Sequence, residues 1–175
     1  IAILAVTGEL YGEIYGSKFL RVTDPKSEHY GQLLLSATGR PQLGEQRVRL
    51  GNQQSKALLG ITNSFGYKNF TLAFLIDARF GGDMFSVTQA MLQRRGNAEI
   101  TAPGGERNDI TVAGVVANGS GGYTANTTAI TQQQYWEAVN SNQGNLGISE
   151  LNMYDASNIR LRNVQLSYTL PKKLL

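Results

Sequence analysis

The sequence of 175 residues predicts an all-β fold made of antiparallel strands. Two neighbouring segments in its middle alternate apolar and polar residues with a period of two, and its last segment does the same. The chain has 20 glycines and only 17% charged residues, below the roughly 25% usual for soluble domains. This composition favours strands joined by polar loops over a helical bundle.

The first predicted strand region runs from Gly8 to Val22, where large apolar residues such as Ile14 and Phe19 alternate loosely with small ones. The apolar run before it lacks a basic leader and a cleavage pattern, so we do not expect a signal peptide. No run of 18 apolar residues occurs, which argues against a transmembrane helix.

The segment "LLGITNSFGYKNFTLAFLIDARFGGD" predicts a β-hairpin. From Leu59 to Tyr67 the odd positions are apolar or aromatic, apart from Asn63. The apolar positions become even at Phe70, and this change of phase predicts a tight turn within Gly66 to Asn69. Each arm has about 10 residues, the length of a tilted strand that crosses a bilayer.

The second arm of this hairpin presents two different faces. Phe70, Leu72, Phe74 and Ile76 form its apolar face, and Thr71, Ala73, Leu75, Asp77 and Arg79 form the more polar one. A soluble β-sandwich and a membrane barrel both produce this alternation. In a barrel, we expect the first set to face lipid and the second to face the interior.

The closing strand, "NIRLRNVQLSYTLPKKLL", has one face that begins with Arg160 and Arg162 and continues with Val164, Leu166 and Tyr168. In a barrel, the arginines would stay above the hydrocarbon and the tyrosine would lie at the far interface. The alternative is a β-bulge near Arg162 that exchanges the two faces. Proline cannot donate to a sheet, so Pro171 should end the strand before a turn at Lys172 and Lys173.

The long segment from Gly81 to Ser157 shows little strand pattern. Short helices are predicted at Met84 to Arg95 and at Thr131 to Val139, the second with Thr131 as its N-cap. Connections of this length are usually functional or disordered.

Several kinds of chemistry have little support in this sequence. The chain has no cysteine, and its one histidine, His29, lies near Asp24 and Glu28 in what is more simply a solvated loop than a metal site. A hydrolase would depend on His29, yet no Gly-x-Ser-x-Gly motif is present. The net charge of +3 is scattered, so nucleic acid is not an expected partner. We predict no enzyme activity, no catalytic residue, no metal and no cofactor.

Two pairs of residues are candidates for contact with a ligand or partner. Asp77 and Arg79 lie on one strand face and could bind a polar ligand, although an ion pair lining a wet interior is the simpler interpretation. Tyr135 and Trp136 offer a large aromatic area. The alternative for Trp136 is that it packs its own segment together.

Two long motifs resemble the SusC/RagA family of TonB-dependent outer-membrane transporters. "NSFGYKNFTLAFLIDARFGGDMFS" is similar to a family hairpin, and "YDASNIRLRNVQLSYTLPKKLL" is similar to a later family strand. "GELYGEIYGSKFLRV", "ERNDITVAGVV" and "QQYWEAV" resemble the segments around them. The resemblance spans nearly the whole chain but only a late portion of the family's sequence.

The resemblance implies that residues 1–175 are a partial β-barrel domain, a piece without the plug domain and the remaining strands. The fold would be antiparallel strands of a large outer-membrane barrel, with Gly81 to Ser157 as a long extracellular loop carrying short helices. The whole protein would import glycans, oligosaccharides or peptides across the bacterial outer membrane. Its partners would be a SusD-like surface lipoprotein, membrane lipid, and TonB through the missing part of the chain.

The competing hypothesis is a soluble β-sandwich that binds carbohydrate, with Tyr135 and Trp136 stacking on a sugar. A soluble module would stay monomeric without detergent. A barrel piece would need detergent, because its apolar face and strand edges lack partners.

Overall fold

The computed structural model describes residues 1–119, 121–140 and 147–171, and the predicted turn at Lys172 and Lys173 lies outside them. The chain is mostly β, with antiparallel sheets, as the sequence predicts. The strands, in chain order, are β1 (Ala2–Leu4), β2 (Glu13–Phe19), β3 (Leu34–Leu35), β4 (Leu43–Asn52), β5 (Ala57–Tyr67), β6 (Phe70–Phe80), β7 (Asp83–Phe85), β8 (Ile110–Thr111), β9 (Val115–Ala117), β10 (Tyr123–Ala125), β11 (Ala129–Ile130), β12 (Met153–Asp155) and β13 (Asn158–Tyr168). The helices are α1 (Val87–Arg94) and α2 (Gln132–Asn140), with 3-10 turns at Glu99–Thr101, Pro103–Gly105 and Ser149–Asn152.

The chain forms two compact units. Residues 1–52 and 84–154 make up the first unit, and residues 53–83 and 155–175 make up the second. None of the sheets formed by the described residues closes into a barrel. No helix in these ranges is long and apolar enough to cross a membrane.

The described residues of the first unit form three small sheets, apart from the pairing of β7 with β12. β1, β2 and β4 form an antiparallel sheet, and β8 pairs with β11. In the third sheet β9 is central, pairing antiparallel with β10 and parallel with β3, where Leu34 lies opposite Val115. The segment from Gly81 to Ser157 is therefore more than the loop we predicted, because several of its strands belong to a packed unit.

Both predicted helices are present in the first unit, and each begins at a hydroxyl cap. The Ser86 side chain accepts a hydrogen bond from the Gln89 backbone N–H at 3.2 Å. The Thr131 hydroxyl accepts from the Gln134 N–H at 3.2 Å, and the Gln134 side chain accepts from the Thr131 N–H at 3.1 Å. This reciprocal pair is a capping box, which confirms Thr131 as the N-cap of α2.

The core of the first unit lies along one side of α2. Trp136 and Val139 pack with Ile148, and Phe19 and Leu43 complete the cluster from β2 and β4. Val139 and Ile148 are fully buried. This small core therefore joins the two chain segments of the first unit, residues 1–52 and 84–154.

The second unit is one antiparallel sheet of three 11-residue strands in the order β13-β6-β5. β5 and β6 pair without a register shift from Ala57 opposite Phe80 to Tyr67 opposite Phe70. Only Lys68 and Asn69 lie between them, and Lys68 has a positive φ of 53°. The hairpin predicted at Gly66 to Asn69 is therefore confirmed, with a shorter turn than we expected.

Candidate functional site

The sheet of the second unit has one continuous apolar face. Because side chains alternate along a strand, residues opposite each other in the register share a face. We call the following set the apolar face: Ala57, Leu59, Ile61, Asn63, Phe65 and Tyr67 of β5; Phe70, Leu72, Phe74, Ile76, Ala78 and Phe80 of β6; and Ile159, Leu161, Val164, Leu166 and Tyr168 of β13. Asn63 is the polar exception in this set.

Most of the large side chains on the apolar face are exposed. Leu166 is 70% exposed, Ile159 is 71% exposed and Phe65 is 56% exposed. Isolated exposed apolar residues are ordinary, but a contiguous set across three strands marks a surface that contacts a protein or a membrane.

The turn end of the apolar face is aromatic. Tyr67 and Tyr168 both lie opposite Phe70 in the register. The ring centroids of Phe70 and Tyr168 are 4.6 Å apart, and those of Phe65 and Phe74 are 6.0 Å apart. The face therefore ends in a row of rings, two of which carry a hydroxyl.

The other side of the sheet, the polar face, carries mostly small and polar side chains, with Leu58 and Leu75 as its large apolar exceptions. It consists of Leu58, Gly60, Thr62, Ser64 and Gly66 of β5; Thr71, Ala73, Leu75, Asp77 and Arg79 of β6; and Asn158, Arg160, Asn163, Gln165 and Ser167 of β13. The predicted division of β6 into two faces is thus confirmed. One face carries Phe70, Leu72, Phe74 and Ile76, and the other carries Thr71, Ala73, Asp77 and Arg79.

A β-bulge at Arg162 keeps these faces distinct along β13. Leu161 pairs with Ile76 and Asn163 pairs with Leu75, so one residue of β13 has no counterpart in β6. Arg162 is that extra residue, and its Nε lies 2.7 Å from Oδ2 of Asp77.

The bulge corrects one of the two interpretations of the closing strand. Arg160 lies opposite Asp77 and Arg162 pairs with it, whereas Val164 and Leu166 lie on the apolar face. The arginines therefore do not share a face with Val164, Leu166 and Tyr168, so the single face predicted from the sequence is wrong and the alternative of a bulge near Arg162 is confirmed. The extra residue restores the alternation that the sequence alone seems to break.

Asp77 and Arg79 do not pair with each other, as the sequence suggested they might. Asp77 is paired with Arg162, while Nη2 of Arg79 donates to the backbone oxygen of Gln53 at 2.6 Å. Nε of Arg79 is buried and has no hydrogen-bond partner among the described residues. Asp77, Arg79, Arg160 and Arg162 instead line a depression of about 430 Å³ at the end of the sheet far from the turn.

The two long motifs meet at this same end of the sheet. Gly81 and Gly82 follow β6 with positive φ angles of 71° and 90°. The Gly81 N–H donates to the Ser157 hydroxyl at 2.7 Å, and the Gly82 carbonyl accepts from the Ala156 N–H at 2.8 Å. The glycines after β6 thus bind the short turn that leads into β13.

Asp155 fixes the shape of that turn. Its carboxylate accepts a hydrogen bond from the Ser157 backbone N–H at 2.7 Å. Hydrogen bonding from the Ser157 side chain and backbone, with a smaller contribution from the charge of Lys56, lowers the pKa of Asp155. The role of Asp155 and Ser157 in this turn was not predicted from the sequence.

Trp136, one of the predicted contact residues, is part of the core of the first unit. It is only 6% exposed, and its Nε1 donates to the Gln132 side-chain oxygen at 3.0 Å. This is the packing alternative that the sequence left open. Tyr135 meets the Trp136 ring edge to face at 4.9 Å and is half-buried, and burial raises the pKa of its hydroxyl.

The surroundings of His29 offer no set of metal ligands. Its ring meets the ring of Tyr123 at 6.3 Å, and no cluster of three or more His, Asp or Glu side chains suited to a metal occurs in the described ranges.

No model of a known protein family matches this chain, and no curated protein is significantly similar to it in sequence.

Proposed function

We propose that this chain forms part of the wall of an outer-membrane β-barrel transporter of the SusC/RagA type. The apolar face of the second unit would contact lipid, and the polar face would line the aqueous interior. The observation that carries this proposal is the register of β5, β6 and β13, which separates apolar from polar side chains across three strands.

The dimensions of the apolar face suit a membrane wall. From Leu59 to Tyr67 it extends about 26 Å along the strand. A strand tilt of about 40° reduces this to a height of roughly 20 Å, close to the roughly 25 Å apolar band of outer-membrane barrels. The tyrosine hydroxyls at the turn end suit the interface, where aromatic girdles lie.

The edges of the sheet also need partners in this setting. β5 and β13 are the outer strands of the second unit, so each has one edge without a neighbour in that sheet. Unpaired backbone groups are costly in hydrocarbon, and closure into a barrel is how strands satisfy them. In the proposed transporter, further strands pair with β5 and β13.

The remaining parts of the proposal rest on the sequence resemblance. They are the import of glycans, oligosaccharides or peptides, the SusD-like lipoprotein partner, and energy supply through TonB. Tyr135 remains a candidate contact residue, while the buried Trp136 would act by positioning it.

A pair of aspartate substitutions at neighbouring positions tests the proposal. In the full protein that carries this sequence, Leu166→Asp places a charge on the apolar face, and Ser167→Asp places one on the polar face. A charge facing lipid costs up to about 2–4 kcal/mol at the centre of the membrane, and less for acidic residues. We expect Leu166→Asp to reduce the protein assembled in the outer membrane, measured by fractionation and protease resistance, while Ser167→Asp assembles normally.

The alternative, a soluble carbohydrate-binding β-sandwich, predicts a different outcome. In that case the unsubstituted protein would appear in the soluble fraction without detergent. Recovery of the protein there, or equal assembly of the two aspartate variants, would contradict the proposal.

A further inference from the structure

The first unit contains a cavity of about 180 Å³ between α1, α2 and the segment that follows α1. It is small beside the roughly 300–1,000 Å³ of pockets that hold drug-sized ligands, so it suits a single small chemical group. The residues that line it include Gln93, Arg94, Arg95, Arg107, Gln132 and Glu137.

Three guanidinium groups surround this cavity. Arg94 and Arg95 end α1, and Arg107 approaches from the segment beyond the 3-10 turns. None of the three forms an ion pair with a residue that the structure describes. With Glu137 as the lining acid, the lining carries three positive charges and one negative charge, an excess of 3 − 1 = 2.

Arg107 is held in place by the backbone at the end of α1. Its Nη2 donates to the Gly96 carbonyl at 3.0 Å. Gly96 has a positive φ of 69°, and a Cβ there would lie 3.1 Å from that same nitrogen. A glycine at this position therefore allows the guanidinium to rest against the chain beside the cavity.

Two buried glutamines line the cavity, and the side-chain oxygen of each accepts a hydrogen bond from another residue of the fold. Gln132 is only 6% exposed, and its side-chain oxygen accepts from Nε1 of Trp136. An indole nitrogen can only donate, so the Gln132 oxygen must face Trp136 and the Gln132 amide NH₂ must face away. That NH₂ group makes no hydrogen bond to a described residue.

Gln93 is arranged in the same way. It is 3% exposed, and its oxygen accepts from the Asn140 amide at 3.2 Å, while the Asn140 oxygen accepts from Asn152 at 3.2 Å. The oxygen of Gln93 is thus engaged within the fold, which leaves its NH₂ group for the cavity.

Glu137, the one acidic side chain among the described lining residues, already accepts one hydrogen bond from the fold. The Glu137 carboxylate accepts a hydrogen bond from the Gln133 side chain at 2.8 Å. The cavity therefore offers guanidinium and amide N–H groups together with a net positive charge, the combination that binds carboxylate, sulfate and phosphate groups.

We propose that this cavity, formed by Arg94, Arg95, Arg107, Gln93 and Gln132, is a binding site for the oxyanion group of a small ligand. The shared chemistry is a carboxylate or sulfate, carried by an acidic sugar or free in solution. The site lies within the first unit, and the proposal does not depend on the membrane role of the second.

Calorimetric titration of the full protein with three probes tests the site: glucuronate, neutral glucose and sodium sulfate, each at constant ionic strength. We expect glucuronate or sulfate to bind and glucose not to bind. Binding of both anions assigns the site to any oxyanion, binding of glucuronate alone assigns it to an acidic sugar, and binding of sulfate alone assigns it to a free anion. Absence of binding by both anions, or equal binding of glucose, would overturn the proposal.

Two substitutions and a control connect that binding to the cavity. Arg107→Gln removes the guanidinium that donates to the Gly96 carbonyl. Arg95→Gln removes a guanidinium whose side chain makes no hydrogen bond or ion pair with a described residue. The Arg95→Gln protein should therefore fold normally. The loss of one charged hydrogen bond should weaken anion binding roughly tenfold. Arg40→Gln, an exposed arginine outside the cavity lining, is the matched control and should bind as the unsubstituted protein does. If Arg95→Gln and Arg107→Gln bound as tightly as Arg40→Gln, the anion would be held elsewhere and the proposal would fail.

Discussion

Nε of Arg162 lies 2.7 Å from Oδ2 of Asp77, and this ion pair joins the bulged residue of β13 to the polar face of β6. Both side chains are partly exposed, at 54% and 39%, so the pair itself contributes about 1 kcal/mol or less. The position of the ion pair matters more than its strength, because Arg162 is the bulged residue of β13. The bulge determines which residues of β13 lie on the apolar face and which lie on the polar face.

Deleting Arg162 should therefore be tolerated better than deleting a neighbour. Without Arg162, Leu161, Asn163 and Val164 alternate regularly, so each remaining side chain of β13 keeps its present face. Deleting Val164 instead has two outcomes, and both are unfavourable. If the bulge is kept, Leu166 and Tyr168 move to the polar face; if the bulge is lost, Asn163 takes the place of Val164 opposite Phe74 on the apolar face. We expect the Arg162 deletion to assemble close to normally and the Val164 deletion to fail, measured as protease-resistant folded protein. If both deletions reduced the amount of folded protein equally, the bulge would not determine which side chains of β13 lie on each face of the sheet.

Replacing Gly82 should weaken the second unit. A Cβ at this position would lie 2.8 Å from Nη2 of Arg79 and 3.1 Å from the Gln53 oxygen, and the φ of 90° is unfavourable for an L-residue. We expect Gly82→Ala to lower the free energy of unfolding by at least about 1–2 kcal/mol.

Gly66→Ala is the matched control, because a Cβ there meets nothing within 4 Å and the φ angle is not positive. Thermal unfolding of both variants measures the difference. An unchanged melting temperature for Gly82→Ala would show that the contact between Gly82 and Arg79 is not maintained.

Asp155 should make the turn before β13 sensitive to acid. The folded pKa of Asp155 lies below its unfolded value, which is about 3.9 for an ordinary aspartate. The ionised form therefore favours the folded turn, and this stabilisation is present above the unfolded pKa and lost as the pH falls through the folded pKa.

A carboxyl titration by NMR measures this pKa directly, and Ser157→Ala should raise it because Ser157 is the largest cause of the shift. Titration of Asp155 at 3.9 or above in the unsubstituted protein would contradict the hydrogen bonding described for the turn.

Trp136 should matter for stability rather than for surface contact. Truncating a buried aromatic side chain typically costs about 3–5 kcal/mol, so Trp136→Ala should strongly destabilise the first unit. Tyr135→Ala should cost less, because Tyr135 is only half-buried. Chemical denaturation of both variants tests this order. If Trp136→Ala were as stable as the unsubstituted protein, the core around α2 would be misassigned.

The strand pattern and the hairpin were predictable because period-two alternation is a local property of the sequence. Other local signals, an apolar side and a threonine cap, identified α1, α2 and the Thr131 N-cap. The sequence of β13 alone could not distinguish a regular strand from one with a bulge at Arg162, because the difference lies in how Leu161 and Asn163 pair with β6. The long-range pairing of Leu34 with Val115 was not predictable either, because β3 has two residues and β9 has three, too few to show a period.

The candidate sites show the same limit. Sequence cannot tell an exposed Trp136 from a buried one, although Gln132 four residues earlier was a usable signal for a buried indole partner. Arg95 and Arg107 are 12 positions apart and form no motif, so only the fold brings them to one cavity. The prediction that Asp77 pairs with Arg79 failed because Arg162 from the neighbouring strand competes for Asp77.

Spin-label accessibility tests most directly whether the apolar face contacts lipid and the polar face contacts water. The chain has no cysteine, so single spin labels can be attached at Leu72→Cys and Leu166→Cys on the apolar face, and at Thr71→Cys and Ser167→Cys on the polar face. In lipid bilayers, we expect labels at 72 and 166 to collide mainly with oxygen, which concentrates in hydrocarbon. Labels at 71 and 167 should collide mainly with a water-soluble nickel complex. Low accessibility of positions 72 and 166 to both reagents, as in a packed protein core, would show that the apolar face does not contact lipid.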